Sequence, residues 1–392
     1  MGLTITRAQG QLNLTTPTED AVICMVMSGS AVSGKLTLGV PYQIFGTDNM
    51  RSLGITIGNN PLAYKDITEF YAAAGEGAEL NIMLVANTST FENICDPNFN
   101  LGKVLIDSTD GRGVVFLVNI KRANGYTPTL VDGLDEDVYN GIAKMQVLGD
   151  MYDNDLNIPF VGVLPAHGMD KDTLGDLPAR STLSDDYCAV NGYCTTNDGV
   201  VAMGLLAGWI AKHQVHENVG RVASGKVSNA AYFPDGTPAK DLRNAAEAIN
   251  AKGILFPVKV GNKSGYYFKD DPTHTSLTSN FSSISWNRTI NKAKRIAAAV
   301  LLDKLNDNVE ENPTTGKIES SVLSDWESDV ENPIKNQMMR ATATRKKEIS
   351  GVKCTVDPDS DILNNEVSAS LNIVRQGQAK NIVVSIGYVA TI

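Results

Sequence analysis

Short, mostly apolar runs set the tightest limit on what this chain can become. Ala21 to Met27, Leu80 to Val85, Val114 to Ile120 and Phe160 to Leu164 read as buried strands. Val40 to Phe45 and Gly253 to Val260 read as two more. Helical patterns lie between them. Thr47-Asp48 caps a short helix through Leu53. Pro61 opens a longer one, with Leu62, Ile67, Phe70 and Tyr71 on one face and Gly75 and Gly77 at its end. Asp137 to Tyr152 turns Ile142, Met145 and Leu148 inward. Asp198 to His213 carries Met203, Leu206, Trp209 and Ile210, and Leu242 to Ala251 is shorter. This alternation predicts an α/β domain over residues 21–265.

The last third changes period. Ser282 to Asn306 is a long helix with Ile290, Ala293, Ala297, Val300 and Leu301 at helical spacing. Arg288, Lys292 and Arg295 share another face, read as solvated. Ser321 to Glu348 continues as helix, broken near Pro333. Then Val352, Cys354 and Val356 alternate, as do Val367, Ala369, Leu371 and Ile373. After the turn Arg375 to Lys380, Ile382, Val384, Ile386 and Tyr388 alternate again. That predicts a small antiparallel sheet whose open edges recruit other strands. Residues 266–392 therefore read as a helical and β-sheet polymerisation domain. Residues 1–20 read as an extended arm in which Leu3, Ile5, Leu12 and Leu14 make short strand-like pieces. The fold class is mixed, α/β followed by a helix-plus-antiparallel-sheet domain.

Composition narrows the function. A net charge of −10 argues against a nucleic-acid binder. Met1 to Gly10 has no apolar core of a signal peptide, and Val200 to Ala211 is too short to span a bilayer. Five scattered cysteines do not make a disulfide framework, although Cys188 and Cys194 could face each other across an Asn191-Gly192 hairpin. Charge is segregated near the end. Asp303 to Glu331 holds nine acids and two bases, whereas Asn332 to Cys354 holds six bases and one acid.

Several motifs invite chemistry and fall short of it. Gly29 to Lys35 has P-loop spacing, but Leu36 stands where a magnesium-binding hydroxyl belongs, so a loop between strands is the better reading. His213 and His216 are three apart beside Glu217, and with Cys188 and Cys194 make no regular zinc spacing; they read as solvated helix-end residues. Asp357-Pro-Asp359-Ser-Asp361 lacks the calcium-loop glycine, with Ile362 at that place. No catalytic, cofactor or metal residue is assigned, and no enzyme is expected.

The order of these pieces resembles the tail sheath proteins of contractile phages and related injection systems. The stretch Pro41 to Gly54 looks like that family's strand, turn and short helix, and Leu62 to Val85 continues it. Gly204 to Lys212 followed by Asn218-Val-Gly is similar to the family's small-residue helix and loop. Trp286 to Arg295 looks like its Asn/Arg-rich helix opening, although Trp286-Asn287-Arg288-Thr289 departs from the usual Arg-rich start. Leu371 to Val389 is the closest match, and residues 86–200 match nothing in the pattern.

The resemblance implies a structural subunit that stacks as hexameric rings around an inner tube and contracts to drive the tube through a membrane. It implies other partners as well, namely further copies of this chain and baseplate and tail terminator proteins, without nucleic acid or membrane insertion. Its place would be a virion tail or injection-system particle assembled in the bacterial cytoplasm. Strand exchange between copies would use Ile5, Leu12, Leu14, Leu371, Ile373, Ile382, Val384 and Ile386. Lys335, Arg340, Arg345, Lys346 and Lys347 would face the tube. Other readings are a tube or baseplate component, or a P-loop enzyme.

Overall fold

The computed structural model describes residues 19–110, 112, 114–342, 345–360, 366–380 and 382–383. Residues 1–18 of the expected arm, with Ile5, Leu12 and Leu14, lie outside them, as do Val384 and Ile386, whereas Glu19 and Asp20, at its expected end, belong to a helical turn over Glu19–Ala21 instead of an extended strand.

Strands β1 (Ile23–Ser28), β2 (Pro41–Ile44), β3 (Leu80–Val85) and β4 (Val115–Asn119) form at the expected runs. Leu130–Val131 (β5) and Leu134–Asp135 (β6) make a small ribbon. Then come β7 (Val161–Pro165), β8 (Cys188–Asn191) and β9 (Ile254–Leu255). Seven strands join in the order β2-β3-β1-β4-β7-β8-β9, parallel throughout except for β2. β1, β3, β4 and β7 are buried along their whole length, as a parallel sheet covered on both faces requires.

The helices are α1 (Thr47–Ser52), α2 (Pro61–Ala74), α3 (Phe91–Cys95), α4 (Gly102–Asp107), α5 (Glu136–Asp150), α6 (Met203–Lys212) and α7 (Arg243–Ala251). The packing of α2 on α6 explains two glycines. A Cβ on Gly204 would lie 2.0 Å from the Asp66 carbonyl oxygen, and one on Gly208 would lie 2.4 Å from that of Phe70. Only glycine lets these backbones come so close.

Some boundaries differ from the sequence reading. Thr47 does not cap α1, because its hydroxyl donates to Glu76 Oε1 at 2.8 Å and Gly46 is the N-cap. α6 starts at Met203 because Asp198 Oδ1 accepts from Val200 N and holds that stretch in a turn. The strand expected over Gly253 to Val260 splits. β9 pairs with β8, while β10 (Pro257–Val258) pairs with β11 (Tyr267–Phe268). Between them Phe256 N donates to the Asn250 side chain. The Cys188/Cys194 hairpin does not form: Cys188 sits in parallel strand β8, and all five cysteines are free and buried.

Beyond the sheet, α8 (Ile284–Leu302) and α9 (Ser320–Met338) precede the antiparallel pair β12 (Ile349–Val356) and β13 (Ala369–Arg375). α9 runs through Pro333 and stops at Met338, so the expected helix to Glu348 ends early. Ala293 and Ala297 of α8 pack with Val330, Ile334 and Met338 of α9 and with Ile349 and Cys354 of β12 in a second core. Ile284, at the start of α8, belongs to the large core instead.

Candidate assembly surfaces

β13 pairs with β12 from Ala369 opposite Val356 to Arg375 opposite Ile349. Its other edge meets no strand among the described residues. Leu371 and Ile373 are half-buried and lean over α8, while Ser370, Asn372 and Val374 face outward. Beside them runs an apolar groove of about 460 Å³, lined by Ile290, Ala297, Leu301, Leu302 and Leu305. Leu302 is 57% exposed and Leu305 is 68% exposed. An unpaired edge beside exposed leucines is the arrangement that strand addition uses. Ile382 and Val383 are exposed and outside any strand.

The turn after β13 is docked, not free. The Arg375 guanidinium carbon sits 3.3 Å from the Trp286 ring centroid, with Lys380 Nζ 5.4 Å from it. Lys380 also pairs with Asp270 at 2.6 Å, and Gln378 Nε2 donates to Ser285 Oγ at 3.2 Å. Beneath lies fully buried Asp271, which accepts from Asn218 Nδ2, Ser285 N and the Ser283 hydroxyl. Burial, and then the neighbouring Asp270 charge, push the Asp271 carboxyl up to about 7.

The basic stripe on α8 is not a solvated face. Arg288 and Lys292 are 5% and 4% exposed. Arg288 Nη2 donates to the Asp20 carbonyl at 2.9 Å, and Arg295 Nη2 pairs with Asp20 Oδ1 at 3.3 Å. Lys292 Nζ bridges Asp20 and Glu348. Burial pulls Arg288 down to about 10, against the pull of Asp20. The sequence reading missed this because Asp20 is 272 residues from Lys292, beyond any local pattern.

The five expected tube-facing bases divide. Lys335 pairs with Glu331 at 2.5 Å and Arg345 with Glu348 at 2.8 Å. Arg340, Lys346 and Lys347 are exposed and form no ion pair among the described residues. They lie on the irregular segment after α9, not on a helix.

The other motifs resolve without a site. The Gly29 to Lys35 loop closes through a Val32–Leu36 bridge and leads into β2 instead of a helix. A cleft of about 590 Å³ lies beside it, at the ends of β1, β3 and β4. His213 is buried, with Nδ1 2.6 Å from the Trp209 carbonyl and Nε2 2.6 Å from Ser224 Oγ; His216 is half-buried. Neither is the solvated residue expected, and burial lowers both imidazoles. Asp359 pairs with Lys317. No cluster of three metal-ligating side chains occurs among the described residues, and none of their helices is long and apolar enough to cross a membrane.

Models of the DUF2586 N-terminal and C-terminal domains match residues 2–272 and 280–392. The fold is that of contractile sheaths, as the order of sequence elements implied. The helical sheath of the anti-feeding prophage in its contracted state superposes with a TM-score of 0.61 at 13% identity, over 98% of each chain. A chain of the six-fold symmetrised anti-feeding prophage baseplate gives 0.58 at 12% identity, over 99% of this chain and 98% of that one. The contracted PVC sheath complex of an extracellular contractile injection system gives 0.56 at 12% identity, over 100% and 98%. No curated protein matches.

Proposed function

This chain belongs to the DUF2586 family, and from its fold we propose that it is a structural subunit of a contractile sheath. Copies stack as hexameric rings around an inner tube, and contraction drives the tube through a membrane. The observation that carries the reading is the open β13 edge beside an apolar groove, on a chain similar to sheath proteins along nearly its whole length. The working units are an arm (residues 1–20), an α/β domain (21–265) and a polymerisation domain (266–392).

Neighbouring copies join when the arm of one, through Ile5, Leu12 and Leu14, adds to the sheet of the next at Leu371 and Ile373. On assembly Ile382, which is outside any strand in the single chain, is drawn into that sheet together with Val384 and Ile386. Each backbone hydrogen bond of the added strand contributes about 0.5–1.5 kcal/mol. The tube is met by Arg340, Lys346 and Lys347, with Lys335 and Arg345 contributing less because each already has an intramolecular partner. Baseplate and tail terminator proteins cap the stack, and the particle assembles in the bacterial cytoplasm as a virion tail or injection device. The likeness to a baseplate chain keeps a baseplate component as the second reading.

Electron microscopy of the purified protein separates these. A sheath subunit gives wide, helically striated tubes, and deletion of residues 2–16 leaves a folded protein that forms none. Single rings without stacking favour the baseplate reading. Normal tubes from the deletion variant overturn strand exchange by the arm.

A further inference from the structure

Both ends of the described chain are fastened to one short length of helix. At the N-terminal side, Asp20 meets Arg288, Lys292 and Arg295, spaced i, i+4 and i+7 along α8. At the C-terminal side, the turn Arg375 to Lys380 meets Ser285 and Trp286, in the first turn of the same helix. At 1.5 Å rise per residue, residues 285 to 295 span about 15 Å. The two attachments differ in kind. The first is an ion cluster built on buried Lys292 and Glu348 with half-buried Asp20 at its edge, so that pulling Asp20 away takes a counter-charge from a buried lysine. The second is a guanidinium lying on an indole face, with an ion pair between exposed Lys380 and half-buried Asp270 beside it.

We propose that α8 is a tie bar, anchoring the roots of both chain extensions so that tension between them passes along one helix and bypasses the seven-stranded sheet. The sheath reading enters only as the source of that tension, since extensions shared between copies are pulled when copies move. The sheet's strands lie outside the path from Asp20 to Arg375, so the α/β domain rides on the bar without bearing load.

Single-molecule pulling on the full chain, through handles at residues 1 and 392, tests this without any assembly. The wild-type chain should resist up to one rupture that frees the 366–380 region, with the sheet unfolding only later and at higher force. Trp286→Ala should lower the force of that first rupture at least twofold. Arg375→Gln, a change at an exposed side chain that leaves both cores packed, should lower it by a smaller amount. Asp20→Asn should add an early release at the other root. An unchanged first rupture in both Trp286→Ala and Arg375→Gln, or a wild-type trace in which the sheet opens first, overturns the tie bar. Microscopy of the wild-type protein judges the sheath reading separately, because absence of tubes leaves the pulling result standing.

Discussion

The two cores of this molecule are held together by different means. The large one is built from strands that are buried end to end and from helices pressed so close that glycine is required at their crossing. The small one, among the described residues, has seven buried apolar side chains and is ringed by ion pairs, with Lys292, Glu331 and Glu348 buried at its rim. Apolar burial is insensitive to pH, whereas ionic ties are not. The comparison teaches that the α/β domain is the platform held chiefly by apolar packing, and that the C-terminal domain depends more heavily on its ionic ties.

The sharpest way to break the comparison is at the glycine crossing. Gly204→Leu forces a side chain into the Asp66 backbone, which cannot yield as a side-chain tip could. Loss of soluble folded protein, or a drop of more than about 3 kcal/mol by urea titration, is expected. Next is Lys292→Met, which breaks the bridge and leaves Asp20 only Arg295, and buried Glu348 only half-buried Arg345, as ion-pair partners. It should cost about 3–5 kcal/mol, read as protease sensitivity confined to residues beyond 284 while the sheet persists. Ile334→Ala, in the smaller shell, should cost about 2–5 kcal/mol, towards the lower end if the shell collapses. Its unfolding should likewise be local, and a global transition would show that the cores are one unit.

The cores also respond to pH in opposite directions. Burial raises Asp66 to about 7, only partly offset by the Lys65 charge and by bonds from Asn119 and Gly204 N. An acid raised in the folded state gives stability below its unfolded value of about 3.9 that is lost as pH rises to about 7. Glu331 is held down to about 2, first by Lys335 and also by Cys354 N and Lys353. Its contribution is present above about 4.3 and is lost as pH falls towards 2. Urea midpoints of the two regions between pH 3 and pH 7.5 should therefore diverge, with Glu331→Gln flattening the acid limb of the C-terminal region alone. The smallest effect belongs to the surface. Reversing Arg340, Lys346 and Lys347 together should shift stability by no more than about 0.5 kcal/mol per site, and yet leave tubes unsheathed if these bases meet the tube.

What the sequence made legible follows the range of the forces. Mostly apolar runs located β1, β3, β4 and β7 because a strand buried on both faces writes its burial into consecutive residues. The short α3, α4 and β8, in residues 86–200, have no such run or a full amphipathic period. Arg288, Lys292 and Arg295 had helical spacing, which is equally the pattern of a wet face; their partners come from the opposite end of the chain. The edge of β13 was visible as alternation, but the groove beside it depends on how α8 lies against the sheet.

The five thiols bear on how such a protein ages. Cys24, Cys95 and Cys188 are wholly buried, and desolvation pushes each thiol well above its ordinary range, with Cys194 pushed up to about 12. Oxidants and alkylating reagents attack the thiolate, so native subunits present almost none to them. Aerated samples can be stored without new covalent links between neighbours, and uptake of a maleimide dye becomes a direct count of molecules that have come undone.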